Sequence, residues 1–279
     1  MKVATVSAAG ERRVGQIAKD GTSIALFDLA LSEAQDGVLA LIRRNGVMPP
    51  ALSPIPVSQT TIEAPIPVAR RNIFCVGKNY YEHAHEFAHS GFDTGSANGA
   101  VPDNPIMFFK MPESVIACGS AVVIDPKVSK AVESEAKLTV IIGGIDAKNA
   151  FDHVWGYTSI SDVTARDLQA RYSQWLIGKS QDMFCPTSAF SVTRDEIDIS
   201  NTPIKCCINR ELRQSLNAGL LVFDIPKIIE TLSAGITLQP DDVITTGTPA
   251  GVGIGFDPPK YLKGGGIGVL ENEIVERTT

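Results

Sequence analysis

Residues 131–144 read AVESEAKLTVIIGG. The second half, LTVII, is an unbroken apolar run closed by two glycines, and this pattern predicts a buried strand. In the first half Glu133, Glu135 and Lys137 are spaced by two, so on a strand their side chains project from one face. Carboxylates that converge at the end of a buried strand are typical of a site for a hard cation. A lysine is an unexpected neighbour in such a site.

Other apolar segments predict more strands: NIFCVG, PIMFFK and VITTG. Helical patterns are few, and they lie around residues 79–90, 164–177 and 224–234. Too few helices separate the strands for a doubly wound α/β sheet, so the sequence predicts a β-rich α+β fold. A proline-rich stretch from Pro49 to Pro67 predicts a linker or an extended edge that leads into a second unit. We therefore expect a small N-terminal domain with its linker, residues 1–66, and a catalytic domain, residues 67–279.

The composition excludes several classes of protein. The chain has 279 residues and a net charge of -6, without a long basic tract, so we expect no nucleic-acid partner. No apolar run reaches the length of a membrane span, and the first residues lack the apolar core of a signal peptide. The five cysteines include no C-x-x-C pair, which favours free thiols in a reducing compartment. We expect a cytoplasmic protein.

The segment GKNYYEHAHEFAHSG, residues 77–91, carries two competing signals. His85 and His89 belong to an H-E-x-x-H match, a pattern of zinc proteases, but no third ligand follows at the expected spacing. His83 and Glu86 stand at i and i+3, where a carboxylate can orient an imidazole as a general base. The third interpretation is an exposed polar helix with no catalytic or metal-binding role. The sequence of this segment by itself does not decide among the three.

The segment GYTSISDVTARDLQARYSQWLIGKSQD, residues 156–182, places Asp162 at the end of a predicted strand, where a ligand carboxylate is exposed. Arg166 and Gln169 follow at a predicted helix start, and Lys179 lies in a Gly-Lys-Ser turn. No G-x-x-x-x-G-K-[ST] pattern precedes this lysine, so the turn is not a phosphate loop. Isolated charges of this kind are usually solvated, but beside the carboxylates of another strand they form a candidate site.

The segment TTGTPAGVGIGFDPP, residues 245–259, is rich in glycine and threonine. Its backbone N–H groups and hydroxyls are suitable donors to an anion. The three alternate glycines resemble a nucleotide loop only superficially, because Asp257-Pro258-Pro259 stands where a helix should begin. We reject a nucleotide site here.

Six segments occur in the order and spacing of the fumarylacetoacetate hydrolase family, over roughly residues 70–265: NYYEHAHEF, ESEAKL, SDVTARDLQ, QWLIGKSQDMFCP, INRELRQ and ITTGTPAGVG. The resemblance implies a catalytic domain of the mixed β-sandwich roll type, with a small N-terminal domain, in a homodimer. It implies a hydrolase or lyase acting on a small 2-oxo acid through an enolate. The reactions implied are acylpyruvate C–C hydrolysis and oxaloacetate decarboxylation or tautomerisation.

The resemblance also implies Mg²⁺ or Mn²⁺ held by three carboxylates. Glu135 and Asp162 match two of these ligands, and Lys137 occupies the position of the third. Glu133 is a possible substitute ligand, although it lies roughly 6.6 Å from Glu135 along a strand. Replacing a carboxylate by an ammonium removes an attraction of roughly 4 kcal/mol per charge pair at about 4 Å and adds a repulsion. We therefore expect a metal site that is weak or absent.

Other residues match functional positions of the family. By this resemblance His83 and Glu86 form the general-base dyad, and Lys179 is the active-site lysine. The positions that contact substrate correspond to Arg166, Gln169 and Thr248.

Three arrangements of Lys137 remain open: a built-in cation between Glu135 and Asp162, a neighbour of a weak metal site, or a side chain turned away with water in its place. Two classes of function remain as well. The intact dyad favours an enzyme. Lys137, together with Arg210 where the family has a hairpin glycine, favours a repurposed or impaired homologue that acts as a binding protein or in a changed biosynthetic reaction.

Overall fold

The computed structural model describes residues 1–44, 47–92, 100–144, 149–266, 268–272 and 275–278, the last two ranges as backbone only. The strands are β1 Lys2–Ala8, β2 Glu11–Ile17, β3 Ser23–Leu26, β4 Ile55–Pro56, β5 Thr61–Ile62, β6 Ile73–Gly77, β7 Ile106–Lys110, β8 Val115–Ile116, β9 Val132–Glu133, β10 Ala136–Ile142, β11 Val154–Ser161, β12 Thr164–Ala165, β13 Cys185–Pro186, β14 Ser191–Thr193, β15 Pro203–Ile208, β16 Glu211–Asn217, β17 Val243–Thr245, β18 Gly268–Asn272 and β19 Val275–Thr278. The α-helices are α1 Leu31–Ala34, α2 Leu39–Ile42, α3 Tyr81–His89, α4 Arg166–Arg171, α5 Leu176–Lys179 and α6 Ile225–Ser233.

One large mixed sheet dominates the molecule, in the order β4-β3-β2-β1-β14-β11-β10-β17-β6-β7, with β5 also paired to β1. Strands β17 and β6 are parallel, whereas the other neighbours in this sheet are antiparallel. The N-terminal strands join this sheet through β1, whose Lys2 is paired with Val192 of β14. The predicted β-rich α+β fold is confirmed, and the predicted helices correspond to α3, α4 with α5, and α6.

A second sheet of four strands, in the order β16-β15-β18-β19, shares a core with the large one through Ile204, Cys206 and Ile208. Strands β15 and β16 form a hairpin in which Ile208 pairs with Glu211, so the turn consists of Asn209 and Arg210 alone. Both turn residues have positive φ, 52° and 67°, as a two-residue turn of this handedness requires. Arg210 therefore adopts a backbone conformation that glycine adopts at lower cost.

The alternation of side chains along β10 separates the core from the site. Leu138, Val140 and Ile142 pack into the largest apolar core, together with the apolar face of α6. Because successive side chains of a strand point to opposite faces, Lys137 is directed to the other face. The fold thus forces this lysine out of the apolar core, toward the ends of neighbouring strands.

The expectation that Glu133, Glu135 and Lys137 lie on one strand is wrong. Glu133 ends β9, which pairs with β12 in a separate two-stranded ladder, whereas Lys137 belongs to β10 of the large sheet. The chain changes partner at Ser134 and Glu135. This break turns the Glu133 carboxylate toward a different set of partners from those of Lys137.

The longest helices in the part of the chain that the structure describes are α3 and α6, with nine residues each. No described helix is therefore long enough to cross a membrane.

Candidate active site

Glu135 and Asp162 come together because the ends of β10 and β11 are paired. Ala136 is aligned with Ser161, and the backbone N–H of Asp162 donates to the carbonyl of Glu135 at 2.8 Å. Both carboxylates are buried, with relative exposures of 2% for Glu135 and 0% for Asp162. Two buried charges of the same sign require cationic partners close by.

Lys137 is the first of these partners. Its Nζ lies 3.0 Å from Oε2 of Glu135 and 2.7 Å from Oδ2 of Asp162. The ammonium also lies 4.8 Å from the centre of the Phe108 ring. Burial disfavours the charged form, but Asp162 and Glu135 outweigh it and raise the pKa of Lys137. The built-in cation is therefore the arrangement that the structure adopts among the three left open by the sequence.

Two further ammonium groups lie at these carboxylates, that of Lys179 at both and that of Lys110 at Asp162. Lys179, at the end of α5, contacts Oε2 of Glu135 at 2.9 Å and Oδ2 of Asp162 at 3.0 Å. Lys110, at the end of β7, donates to Oδ1 of Asp162 at 2.7 Å and to the backbone carbonyl of Lys179. Burial lowers the pKa of Lys179 to about 8, with Lys137 adding to the effect and the carboxylates opposing it. We call Lys110, Lys137 and Lys179 the lysine cluster.

Arg166 connects the carboxylate of Glu133 to that of Glu135. As the first residue of α4 it donates from Nε to Oε1 of Glu133 at 2.6 Å, and its Nη2 also contacts Glu135. Its Nη1 donates to Oε1 of Gln169, one turn later, at 2.7 Å. Each guanidinium nitrogen thus has a protein partner. Glu133 is held by Arg166 and by the backbone N–H of Ile254 at 2.7 Å.

His83 and Glu86 are hydrogen-bonded, as the resemblance implies for a dyad. Nδ1 of His83 lies 3.0 Å from Oε2 of Glu86, and the other carboxylate oxygen accepts from the backbone N–H of Gly251 at 2.9 Å. Burial lowers the pKa of His83 below 6.5, although the hydrogen bond to Glu86 opposes this. The imidazole is therefore neutral at pH 7, with Nε2 free to accept a proton if Nδ1 holds the proton shared with Glu86.

The glycine-rich loop lies against two of these carboxylates. A side chain at Gly253 would place its Cβ 2.8 Å from Oε2 of Glu133, and one at Gly255 would overlap the carboxylate of Glu86. These glycines are needed because the loop backbone passes where a Cβ would collide. The segment rejected above as a nucleotide loop therefore fixes Glu86 and Glu133.

A small cavity joins the dyad to the lysine cluster. Its lining includes all six residues predicted for catalysis or substrate contact except Glu86: His83, Lys179, Arg166, Gln169 and Thr248. Lys137 and Glu135 line it as well, and Phe108 and Trp175 form an aromatic wall. The cavity volume is about 10 Å³, which is the space of about one water molecule. A 2-oxo acid therefore enters only if wall side chains move.

Several residues of the site were not identified from the sequence, among them Lys110, Phe108, Trp175 and Gln214. Lys110 and Phe108 lie in PIMFFK, which reads as a plain buried strand, yet a spacing of two puts both on the face of the site. Gln214 joins three elements: it accepts from the backbone N–H of Ala136 at 3.0 Å and donates to Oγ1 of Thr248 at 2.8 Å. The spacing of two was a usable signal for Lys110. Nothing local marked Gln214.

The H-E-x-x-H histidines lie away from this cavity. His85 and His89 are on the exposed face of α3, whereas His83 is buried on the inner face. Nδ1 of His89 is bonded to the backbone carbonyl of His85 at 2.7 Å.

The donor set does not fit the divalent cation that the resemblance implies. Among the residues that the structure describes, no group of three or more histidine, cysteine, aspartate or glutamate side chains is placed to hold a metal ion. Any cation between Glu135 and Asp162 would also meet the ammonium groups of Lys137 and Lys179, which contact the same carboxylate oxygens. Two carboxylates that already share two cations are poor ligands for a third.

The chain is similar to known proteins over most of its length. Residues 72–275 match the family model described as fumarylacetoacetate (FAA) hydrolase C-terminal. Oxaloacetate tautomerase YisK of Bacillus subtilis is 41% identical over 231 residues, which cover 78% of this chain and 74% of that protein. The fumarylacetoacetate hydrolase of Exiguobacterium antarcticum superposes with a TM-score of 0.81 at 33% identity, covering 100% of this chain and 97% of that one.

A further solved structure bears on the metal. Maleylpyruvate hydrolase of Sphingobium sp. SYK-6, in complex with manganese(II) and pyruvate, superposes with a TM-score of 0.74 at 26% identity, over 100% of this chain and 97% of that one. A divalent metal thus occurs in a relative. In this chain, the Lys137 ammonium lies between Glu135 and Asp162, the two carboxylates that the resemblance assigns to the metal. By the family model and by its relatives, this chain belongs to the fumarylacetoacetate hydrolase family.

Proposed function

We propose that this protein is an enzyme that transfers a proton at the carbon beside the keto group of a small 2-oxo acid, through an enolate. The observation that carries the proposal is the His83–Glu86 pair, 3.0 Å apart, at a cavity whose wall also holds Lys137 and Lys179. A base and fixed cations on one small cavity are what formation of an enolate requires.

In this proposal His83 moves the proton. Glu86 accepts from Nδ1, which leaves Nε2 as the acceptor, and the low pKa of the buried imidazole keeps it in the basic form at pH 7. In tautomerisation neutral His83 removes the proton of the enol hydroxyl, and the imidazolium then returns that proton to the adjacent carbon; the reverse reaction takes the proton from that carbon and returns it to the oxygen. The substrate keeps its net composition.

The two lysines of the cluster that line the cavity, Lys137 and Lys179, stabilise the charge that develops on the substrate oxygen. Lys137 and Lys179 are fixed by their carboxylate partners before substrate binds, so they need not reorganise during the reaction. Arg166 has a protein partner on each nitrogen, so we assign it a positioning role for Glu135 and Gln169. Thr248 and Gln169 remain the proposed contacts to the substrate.

Oxaloacetate is the first substrate to test. The protein from Bacillus subtilis that is 41% identical to this chain is named an oxaloacetate tautomerase. Decarboxylation of oxaloacetate and C–C hydrolysis of acylpyruvates pass through the same kind of enolate, and both belong in the same substrate panel. Hydrolysis additionally needs a water molecule, and the cavity as it stands has space for about one.

The test follows the loss of the enol form of oxaloacetate by its ultraviolet absorbance. His83→Ala should reduce the rate constant by about 10²-fold or more. His85→Ala is the matched control, because its side chain lies on the exposed face of the same helix and its rate should equal that of the wild type. A wild-type protein that turns over no member of the panel but binds 2-oxo acids would favour the alternative, a homologue repurposed for binding.

We also propose a homodimer, as the resemblance implies. Large apolar side chains are exposed on neighbouring elements, Phe109 and Met111 at the end of β7 and Leu176 and Ile177 on α5. An exposed apolar patch next to the edge strand of a sheet is suited to a partner of the same kind. Sedimentation equilibrium should give twice the chain mass, and a monomer mass would refute the proposal.

A further inference from the structure

The Lys137 ammonium lies between the two carboxylates that the family resemblance assigns to a metal. It contacts Glu135 at 3.0 Å and Asp162 at 2.7 Å, and the side chain is 1% exposed. Unlike an ion from solution, this cation is attached to a buried strand of the large sheet. Its position is therefore set by folding and not by the concentration of any metal.

The substitution preserves the net charge of a metal-loaded site. A carboxylate at this position and a divalent cation would together carry one positive charge, and the ammonium of Lys137 also carries one. The buried cluster counts four cations, Lys110, Lys137, Lys179 and Arg166, against three carboxylates, Glu133, Glu135 and Asp162. Lys78 also lines the cavity and Glu86 is bonded to His83, and these two opposite charges cancel; with His83 neutral, one positive charge is left for an anionic ligand.

We propose that the Lys137 ammonium replaces both a ligand and the divalent cation, so that this chain binds the enolate form of a 2-oxo acid without metal. The part of this inference that concerns the enolate rests on the proposed function; the part that concerns the metal does not. The replacement is more than a structural ion pair, because Lys137 lines the cavity that His83 also lines.

The first arm of the experiment measures metal binding by calorimetry on protein stripped with EDTA. Lys137→Glu restores three converging carboxylates and leaves the cluster with one negative charge in excess. This variant should bind Mn²⁺ at least 100-fold more tightly than the wild type. Lys137→Met is the matched control, because it removes the ammonium without adding a ligand. Its affinity for Mn²⁺ should be at least 100-fold weaker than that of Lys137→Glu.

The second arm measures the binding of oxalate, a planar dianion that resembles the enolate of pyruvate. Stripped wild-type protein should bind oxalate with EDTA present, and Lys137→Met should bind it at least tenfold more weakly. Lys137→Glu should recover oxalate binding only when Mn²⁺ is added. Circular dichroism identifies any variant that fails to fold, and the wild-type titrations with Mn²⁺ and with oxalate then decide alone.

Failure of this inference and failure of the proposed function give different results. Wild-type protein that binds Mn²⁺ stoichiometrically, as tightly as Lys137→Glu or in the micromolar range, would overturn the replacement of the metal whatever the activity. Wild-type protein that binds oxalate only with Mn²⁺ would overturn it too. Metal-free oxalate binding without turnover of any 2-oxo acid would sustain the replacement and refute only the enzymatic proposal.

Discussion

The carboxylate of Glu86 occupies the space that a side chain at Gly255 would fill. The same carboxylate accepts from the backbone N–H of Gly251 and is bonded to His83. The position of Glu86, the partner of the proposed base His83, is therefore set by a glycine loop more than 160 residues later in the chain.

Gly255→Ala should displace Glu86 from His83 while leaving the fold intact. A displacement of about 1 Å at a catalytic group costs on the order of 10²-fold in rate, so we expect kcat to fall by about that factor with a smaller change in KM. Gly235→Ala is the control, because that glycine has no neighbour within 4 Å and an ordinary φ. Equal kcat values for the two variants would show that the loop does not fix the dyad.

His83 and Glu86 should act as one unit. His83→Ala and Glu86→Ala should each reduce turnover of the best 2-oxo acid by about 10²-fold or more, and the double variant should be little worse than His83→Ala. Steady-state kinetics of the three variants decide the matter. If the two effects multiply, the residues do not form a dyad.

Lys179→Ala should also reduce turnover severely in the same steady-state assay, because it removes a cation from the lysine cluster.

The acid limb of the pH–rate profile should report His83. Burial lowers its pKa below 6.5, and the active base is the neutral imidazole. The rate constant kcat/KM should therefore be flat between pH 6.5 and about pH 8, where Lys179 loses its proton, and its acid limb should lie below pH 6.5. The Glu86 carboxylate holds this pKa up, so Glu86→Gln should move the acid limb further down. A shift of the limb upward in this variant would contradict the pairing.

Arg210→Gly should stabilise the protein. Arg210 has φ of 67° in the two-residue turn between β15 and β16, a conformation that costs non-glycine residues about 1–2 kcal/mol. The greater freedom of glycine in the unfolded chain offsets part of this, so the free energy of unfolding should rise by up to about 1 kcal/mol. Urea denaturation measures the change. Arg210→Ala keeps the backbone strain, so its free energy of unfolding should not rise. An equal rise in both variants would show that the arginine side chain, and not the backbone conformation, destabilises the turn.

The sequence predicted the strands that carry the site because their apolar runs are long and bounded by glycine. It also identified Lys137 as the anomalous residue, since the spacing of two beside Glu135 is visible without a structure. It failed at Glu133, because periodicity continues across Ser134 while the backbone changes partner there. A change of sheet partner depends on long-range pairing, which a local pattern does not contain.

The roles of the glycine loop and of Lys110 show the same limit. From the sequence, the loop was only rejected as a nucleotide site, because no helix follows it. Its contact with Glu86 arises from a fold that joins distant segments. Lys110 ends a predicted apolar strand and received no role from the sequence, yet it is fully buried against Asp162. A sequence does not show that a charged side chain is buried until the partner that neutralises it, here Asp162, is known.

In our proposal His83 forms an enolate that the lysine cluster stabilises without metal. Deuterium exchange at C3 of pyruvate in D₂O, followed by NMR on EDTA-treated protein, tests it most directly because exchange needs enolisation and no particular product. We predict exchange well above the uncatalysed rate with EDTA present, and its loss in His83→Ala but not in His85→Ala. Exchange that appears only after Mn²⁺ is added back, or that persists in His83→Ala, would contradict the claim.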